Sequence, residues 1–408
     1  MNGARPRGGR AASGGTGPGV ARPGQARRTR VLHVITHLDP GGAQDNTLLS
    51  VAGLDRTRYE VDLLAGPGAL EPSARRAADR LLVLGRFRRA LVSPSDALIA
   101  LALLRSVGRY DVDHTHGSTA GVLGRLVAPA RGVPVVVHTV HGFPVHDYMP
   151  RWQRAPLLGL ERLAARCADR IVCVCEANAA EALALGITRP DQLRVVVSGV
   201  PTAAVRAGSG GPVRRELGIG DDAPVILTLT RLMEQKAPLD FVAAARRVLE
   251  ALPSAHALLA GDGPLREQVA AAAAGEPRLH LLGPRDDVPD LLAAADVVAF
   301  SSLWEGLGRA LTEAVLAGRP VVATAVNGVP DLVVDGVTGH LTPPGRPDLL
   351  ARRILDVLER PDRGQALGVA GAARIAGRFD VAEMVAELDA LYQGALGERL
   401  GGGRSADP

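Results

Sequence analysis

Lysine is almost absent from this chain: of its 47 basic residues, 46 are arginine and one, Lys236, is lysine. This scarcity excludes a phosphate-binding loop of the form GxxxxGK[ST], because Lys236 stands between Gln235 and Ala237. Any Schiff-base chemistry would also have to use this one side chain. A GxGxxG pattern is missing as well, which counts against a dinucleotide-dependent dehydrogenase.

Cysteine and long apolar runs are also scarce. The three cysteines, Cys167, Cys173 and Cys175, are too few and too clustered for a disulfide framework, which indicates a reducing compartment. No uncharged apolar run reaches the roughly 18 residues that a membrane span requires, and the N-terminus lacks the apolar core of a signal peptide. The sequence therefore predicts a cytoplasmic protein.

The formal net charge of +4 is concentrated at the N-terminus. Residues 1–30 hold seven arginines and no acidic residue, whereas the remainder carries 40 basic and 43 acidic residues. The body of the protein is therefore slightly acidic, and we expect no nucleic-acid partner. The Gly, Pro, Ser and Arg content of residues 1–29 predicts a disordered basic tail.

A length of 408 residues predicts two domains. Short β-branched runs alternate with longer Ala/Leu/Arg stretches of helical period, which is typical of parallel βα units. The predicted strands are 31–36, 59–64, 80–83, 111–115, 133–139, 170–175, 193–197, 225–230, 255–260, 279–282, 296–300, 320–323 and 340–342. The predicted helices include 43–54, 95–107, 118–130, 152–168 and 381–392.

This order predicts an α/β fold of two Rossmann-like, doubly wound domains that face a central cleft. The first domain covers residues 30–204 and is joined by a C-terminal helix at 380–396, and the second covers 222–379. The Gly-rich segment AGSGGP at 207–212 indicates a linker near residues 203–221, and residues 397–408 indicate a disordered tail. Ligands bind beyond the carboxyl ends of parallel strands, so we expect the functional site in the cleft.

Two cations follow the first strand of the second domain. Arg231 and Lys236 lie five residues apart in TRLMEQK, where a tight loop can direct both at one anion such as a diphosphate. A cation about 4 Å from a phosphate charge contributes up to about 4 kcal/mol at an effective dielectric near 20, before desolvation. The alternative is a solvated basic pair, but placing the only lysine in this loop favours a functional role.

Two acidic residues flank a glycine-rich turn further along. Glu305 and Glu313 are eight residues apart and enclose Gly306, Leu307 and Gly308. Eight helical residues span about 12 Å, too far for the roughly 5 Å carboxylate pair of a retaining glycosidase, so we expect the two acids to grip separate parts of one long ligand. The amides of the turn suit hydroxyls or anions.

The first domain offers weaker signals. Gly41 and Gly42 open a helix after the first strand, where their amides can approach a phosphate. His141 follows a strand at the edge that faces the cleft. The loop after it carries three aromatic residues that suit sugar stacking or core packing equally: Phe143, Tyr148 and Trp152.

The remaining polar motifs are explained more simply by structural roles than by functional ones. Histidines at 114, 116, 138 and 141 show no clear ligand set, so we predict no metal site. Asp111 and Asp113 resemble a metal-binding DxD but are better explained as a strand end. The arginine-rich stretches at 152–170 and 86–89 leave open a peripheral membrane contact, with an ordinary amphipathic helix as the alternative.

These motifs together resemble glycosyltransferase family 4, which has the GT-B fold, over residues 30–395. The resemblance is carried by RLMEQK at 231–236, GDGPL at 261–265, the E-x7-E pair, and the N-terminal DPGGAQ, HTHGSTAGVLGRL and VHTVHGF. The N-terminal motifs look like the branch of capsular and exopolysaccharide enzymes. The chain departs from the family pattern at Gln44, Ser198, Pro201 and Asp331.

The resemblance implies a retaining transfer from a nucleotide-diphosphate sugar to a glycan, lipid-linked or small-molecule acceptor, with no cofactor and no obligatory metal. It implies that Arg231 and Lys236 neutralise the leaving diphosphate and that Glu305 positions the donor sugar beside His141. The residues implied to bind the donor are Glu313, Gly306, Leu307, Gly308, Gly41, Gly42, Gly283 and Arg285.

Two other functions are compatible with this fold. A nucleotide-sugar 2-epimerase needs no acceptor, and a tailoring glycosyltransferase decorates a secondary metabolite. A catalytically silent binding protein is disfavoured by the complete set of Arg231, Lys236, Glu305 and Glu313. The location implied is the cytoplasm, with peripheral contact at the inner membrane face as a further option.

Overall fold

The computed structural model describes residues 27–85, 110–146 and 148–402. The first 26 residues, the helix predicted at 95–107 and the arginine cluster at 86–89 lie outside the described residues.

The described residues form two sheets in which every pairing between neighbouring strands is parallel. The strands of the first sheet are β1 (Thr29–Ile35), β2 (Tyr59–Ala65), β3 (Arg80–Val83), β4 (Val112–His116), β5 (Val135–Val140), β6 (Arg170–Cys173) and β7 (Leu193–Val195). Those of the second sheet are β8 (Val225–Leu229), β9 (His256–Ala260), β10 (Leu279–Gly283), β11 (Val297–Phe300), β12 (Val321–Thr324) and β13 (His340–Thr342).

The strand order is β3-β2-β1-β4-β5-β6-β7 in the first sheet and β10-β9-β8-β11-β12-β13 in the second. The order reverses between β1 and β4 and between β8 and β11, which are the topological switch points where ligands bind in such sheets. The prediction of two Rossmann-like α/β domains is confirmed. Strands such as β8, VILTL, are fully buried, as expected of parallel sheets that are covered on both faces.

Helices cover both sheets. Those of the first half are α1 (Gly42–Gly53), α2 (Glu71–Ala77), α3 (Ser118–Val127), α4 (Arg151–Ala165) and α5 (Glu176–Ala184). Those that follow are α6 (Thr202–Arg206), α7 (Gly210–Glu216), α8 (Pro238–Ala251), α9 (Arg266–Ala273), α10 (Val288–Ala294), α11 (Arg309–Leu316), α12 (Val329–Leu332), α13 (Pro347–Leu358), α14 (Pro361–Ile375) and α15 (Val381–Gly402).

The C-terminal helix α15 returns to the first sheet. Met384, Leu388, Tyr392 and Ala395 recur at helical spacing and are buried together against residues of β1, β2, β4 and β5. The helix continues to Gly402, so the disordered tail predicted from residue 397 was placed too early. Near this end of the helix, Glu398 pairs with Arg170 of β6 at 2.5 Å.

The Gly-rich segment between the sheets is folded and belongs to the second half. Helices α6 and α7 occupy it, and a Cβ on Gly208 would lie 2.0 Å from the carbonyl oxygen of Pro289. Its glycines therefore permit close packing against α10, which composition alone does not distinguish from flexibility. The chain crosses between the halves where Val200 pairs with Asp380.

The DxD-like residues serve the fold. Asp113 is completely buried and forms an ion pair with the buried Arg131, while Asp111 accepts a hydrogen bond from the Arg30 amide at 2.8 Å. Neither aspartate is among the residues that line the cleft described below.

Candidate active site

A cleft of about 1590 Å³ opens between the two sheets. Its walls are loops that follow β1, β4 and β5 on one side and β8, β9, β10 and β11 on the other. Ligand pockets commonly measure about 300 to 1,000 Å³. The cleft therefore has room for two substrates at the carboxyl edges of both sheets.

The single lysine lies in this cleft and has a carboxylate partner. Residues Glu234–Lys236 form a 3-10 turn after β8, and Lys236 Nζ donates to Glu305 Oε1. The hydroxyl of Ser302 donates to the same oxygen at 2.7 Å. The side chains of Lys236 and Glu305 are 17% and 8% exposed. Sequence reasoning assigned them to different parts of the donor and did not foresee this pair.

The turn around Lys236 is held from the second sheet. Ser301 Oγ donates to the carbonyl oxygens of Lys236 at 3.0 Å and Ala237 at 2.9 Å. The Glu305 amide donates to Asn327 Oδ1 at 3.1 Å. These bonds hold the backbone at both ends of the ion pair, and Arg231 is also among the residues that line the cleft.

The second acid, Glu313, is bound by an arginine that sequence reasoning missed. Arg309 Nε lies 2.9 Å from Glu313 Oε1 and 3.6 Å from Asp45 Oδ2 of α1. Burial raises the pKa of Glu313, and the charge of Arg309 opposes that rise. The signal for Arg309 was its position four residues before Glu313 on one helix. It links the two halves across the cleft.

The glycine turn 306–308 lies against the loop after β5 of the first half. A Cβ on Gly306 would lie 2.1 Å from the carbonyl oxygen of His141, and Gly308 has a φ of +87° just before α11. Opposite, Gly41 and Gly42 begin α1, and a Cβ on Gly42 would lie 3.5 Å from Arg309 Cβ. The turn, with Leu307, and the α1 glycines therefore line the cleft as the sequence indicates.

Two predicted donor contacts are placed less favourably. Gly283 is not among the described residues that line the cleft, and its carbonyl oxygen accepts a bond from the Gly261 amide at 2.7 Å. Arg285 lines the cleft but is paired with both Glu216 and Asp287 at 2.6 Å. That Arg285 binds the nucleotide sugar stays a prediction, and it would require the guanidinium to contact the ligand while it remains paired with the two carboxylates.

The aromatic wall differs from the one that we expected. Trp304 of the second half stacks on His146 with ring centroids 4.1 Å apart, and Tyr148 lies 5.7 Å from the same indole. Phe143 and Tyr148 line the cleft, whereas Trp152 is 75% exposed and is not among its lining residues. The signal for Trp304 was its place directly before Glu305.

Histidines gather beneath the cleft. His141 lines it, and its Nε2 lies 3.1 Å from His116 Nδ1. Ligand atoms of His33, His114 and His116 lie within 4.8 Å of one another. The rings of His33 and His116 are nearly parallel, at 13°, and hydrogen-bonded at 2.9 Å. With ring centroids 5.2 Å apart, these two rings lie nearly in one plane and meet edge to edge, as an N–H···N hydrogen bond requires. The three histidines are also close enough together to hold a metal ion, so the absence of a metal site stays a prediction.

The comparisons with known proteins agree with this geometry. Residues 41–199 match the glycosyl transferase 4-like domain, and residues 223–360 match the glycosyl transferases group 1. The chain is 33% identical over 260 residues to the UDP-Gal:alpha-D-GlcNAc-diphosphoundecaprenol alpha-1,3-galactosyltransferase of Escherichia coli, covering 62% of this chain and 67% of that one. It is 32% identical over 309 residues to the D-inositol 3-phosphate glycosyltransferase of Thermobispora bispora, covering 71% and 72%.

Solved structures show the same fold. The crystal structure of Anabaena HepE in complex with UDP and glucose matches with a TM-score of 0.76 and 23% identity, over 90% of this chain and all of that one. The lipopolysaccharide glycosyltransferase WaaG matches with a TM-score of 0.71 and 16% identity, over 89% of this chain and 100% of that one.

Fold and cleft together define a glycosyltransferase with the GT-B architecture that takes its sugar from a nucleotide-sugar donor. Within that class, the chain belongs to glycosyltransferase family 4. No helix among the residues that the structure describes is both long enough and apolar enough to cross a bilayer.

Proposed function

We propose that the protein is a retaining glycosyltransferase that moves a sugar from a nucleotide-diphosphate sugar to a lipid-linked glycan. The observation that carries this proposal is the Lys236–Glu305 pair inside the cleft, with Glu313 eight residues after Glu305 in the same cleft lining. It is supported by family membership and by the printed activity of the Escherichia coli relative.

The leaving diphosphate binds where the cations lie. Lys236 and Arg231 line one wall of the cleft, and both face the space between the two sheets. They neutralise the charge that grows on the diphosphate as the bond between C1 and oxygen breaks, so the reaction needs no obligatory metal. Glu305 holds the ammonium group in place and offers its second carboxylate oxygen to the donor sugar.

The nucleoside and the sugar bind along the E-x7-E segment. Glu313 accepts hydrogen bonds from the ribose hydroxyls, while the amides of the turn 306–308 donate to the donor. The nitrogen Nη1 of Arg309 is buried with no partner among the described residues, which leaves an N–H group for a ligand oxygen. From the other half, the amides of Gly41 and Gly42 approach the diphosphate.

His141 is poorly suited to be the general base of an inverting transfer. An inverting transfer needs a general base for the acceptor hydroxyl on the face opposite the leaving group. Desolvation lowers the pKa of His141 to about 4, so the ring is a weak proton acceptor near neutral pH. The acceptor proton instead passes to a diphosphate oxygen as the new bond forms on the face that the diphosphate leaves.

Product stereochemistry tests the retaining assignment. Incubation with UDP-galactose and a GlcNAc-diphospho-polyprenol should give an α-linked product from the α-linked donor, as read from the coupling constant of the anomeric proton. Parallel reactions with UDP-glucose, a soluble glycan and D-inositol 3-phosphate identify the donor and the acceptor. EDTA should leave the rate unchanged.

A β-linked product would overturn retention. Formation of an epimerised nucleotide sugar in the absence of acceptor would overturn the transferase assignment in favour of the isomerase. A variant with Glu313→Gln serves as the internal control, because it should raise the KM for the donor without changing the anomer that is formed.

A lipid-linked acceptor would require contact with a membrane surface, and α4 has the chemistry for it. Trp152 is 75% exposed and Tyr148 is 58% exposed, while Arg151 and Arg166 are exposed on the same helix or at its end. Arg154 and Tyr148 also line the cleft. We propose that this helix rests on an anionic bilayer and leads the acceptor into the site.

Vesicle sedimentation tests this surface. We expect binding to phosphatidylglycerol vesicles that weakens with salt, and little binding to phosphatidylcholine. Trp152→Ala should weaken binding about tenfold, since burying a large apolar side chain contributes about 1.5 kcal/mol or more. The matched control is Val369→Ala, which shortens another exposed apolar residue on α14. Equal binding to both lipids would contradict a charge-dependent contact.

A further inference from the structure

A continuous row of buried polar groups runs from the cleft to the C-terminal helix. It begins at His141, whose Nε2 lies 3.1 Å from His116 Nδ1. His116 Nε2 in turn lies 2.9 Å from His33 Nδ1. Both His116 and His33 are completely buried, on the neighbouring strands β4 and β1.

The row continues beyond the sheet. Tyr392 of α15 places its hydroxyl 3.5 Å from His33 Nε2 and within hydrogen-bond distance of His114 Nδ1. The other nitrogen of His114 lies 2.7 Å from Thr139 Oγ1 on β5. Six side chains, from Thr139 to His141, are therefore linked one to the next.

Each imidazole in the row is neutral near pH 7. Burial lowers the pKa of His33 to about 3 and that of His141 to about 4, and it lowers the pKa values of His114 and His116 well below the usual range. A neutral imidazole has one donor nitrogen and one acceptor nitrogen. Every hydrogen bond of the row must consequently point the same way.

Thr139 determines the direction. Its hydroxyl has one hydrogen-bond partner among the described residues, His114 Nε2. If the row ran from the cleft inward, His114 would donate to Thr139 and the buried hydroxyl proton would lack an acceptor, which is unfavourable. The row therefore runs outward, from Thr139 through His114, Tyr392, His33 and His116 to His141.

The outward direction has a consequence at the cleft. His141 accepts a bond at Nε2 and so carries its proton on Nδ1, the nitrogen that His116 leaves available to a ligand. We infer that Thr139 and Tyr392 are positioning residues that preset His141 as an Nδ1–H hydrogen-bond donor to an oxygen of the donor sugar. The role toward the sugar rests on the proposed function, whereas the tautomer does not.

The tautomer of His141 is measurable in the free, full-length protein. Ring ¹⁵N chemical shifts distinguish protonated from unprotonated nitrogens, and the His141 signals are assigned by their loss in His141→Gln. In the wild type we expect the Nδ1–H form to exceed the Nε2–H form by about 10:1, the ratio that corresponds to 1.4 kcal/mol. A wild-type ring protonated on Nε2 would overturn the inference.

Isosteric variants test the cause. Thr139→Val removes the hydroxyl, and the ratio should fall to near 1:1; Thr139→Ser keeps the hydroxyl and should restore the wild-type ratio. Tyr392→Phe breaks the row at another point and should also mix the tautomers, which covers the case that Thr139→Val fails to fold. An unchanged ratio in a folded variant of either residue would refute the role of that residue.

The transfer assay distinguishes a failure of the tautomer inference from a failure of the proposed function. In Thr139→Val, kcat should fall about twofold with little change in the KM for the nucleotide sugar, in step with the smaller share of Nδ1–H tautomer. Wild-type protein with the expected tautomer but no sugar transfer would refute the proposed function and leave the tautomer inference standing. An unchanged kcat with mixed tautomers would show that donation from Nδ1 does not assist the reaction.

Discussion

Lys236→Ala should lower kcat about 100- to 1,000-fold, the usual cost of removing one group that stabilises charge in the transition state. Lys236 is the only lysine in the chain, and it lines the same cleft as Arg231. Without it, the leaving diphosphate loses a point charge in a partly buried site where water screens poorly. Steady-state release of nucleoside diphosphate measures the effect.

The ion pair with Glu305 makes the effect of the single variant harder to interpret. In Lys236→Ala the carboxylate of Glu305, which is only 8% exposed, loses its cationic partner. The double variant Lys236→Ala/Glu305→Gln removes that unpaired charge. If it recovers wild-type activity, the role of Lys236 is only to neutralise Glu305, and the diphosphate assignment is wrong. Arg266→Ala is the matched control, since it removes a cation that is 69% exposed and outside the cleft lining.

Lys236→Arg separates charge from shape. Arginine keeps the positive charge but replaces a compact ammonium with a planar fork that needs more room. The 3-10 turn fixes the backbone of residue 236, and the Ser302 hydroxyl already donates to Glu305 Oε1 at 2.7 Å. We expect a rate between those of the wild type and Lys236→Ala, with thermal stability close to that of the wild type.

Gly306→Ala should lower kcat by about 100-fold, the cost of misplacing reacting groups by about 1 Å. The new Cβ would lie 2.1 Å from the carbonyl oxygen of His141, so backbone must move on one side of the cleft. That movement separates Glu305 from the first half of the protein, where His141 lies. Activity assays together with thermal unfolding measure the two effects.

The control for this variant is Gly220→Ala, where the added Cβ meets no atom within 4 Å. It should leave both activity and the unfolding midpoint unchanged. A Gly306→Ala protein with wild-type kcat would show that the halves need not approach this closely during catalysis. A large fall in the unfolding midpoint would show that the added Cβ disrupts the folded structure, and the loss of activity could then not be assigned to misplaced reacting groups.

The fold was largely predictable because its signals are local. Runs such as VILTL at β8 are apolar and β-branched, and their alternation with helical stretches is typical of parallel βα units. Turn glycines and the E-x7-E spacing are also local, so the cleft, its glycine turns and its acids could be placed from the chain alone. Predicted strands 80–83 and 340–342 match β3 and β13.

Errors arose where one local pattern permits two structures. Glycine in AGSGGP suits both a flexible linker and close packing, and the contact of Gly208 with Pro289 shows the latter. The composition of residues 397–402 is typical of a polar chain end, yet Glu398 pairs with Arg170, which is more than 200 residues away in sequence. Distant partners of this kind leave no periodic signal.

The sequence by itself determined the class of fold and the placement of the cleft, with its only lysine, at the carboxyl edges of two sheets. Tertiary structure alone decided that Lys236 pairs with Glu305, that Arg309 reaches both Glu313 and Asp45, and that buried histidines join Tyr392 to the cleft. The physical reason is range: backbone preference and hydrophobic period act over a few residues, whereas ion pairs and buried hydrogen bonds depend on side chains that only folding brings together.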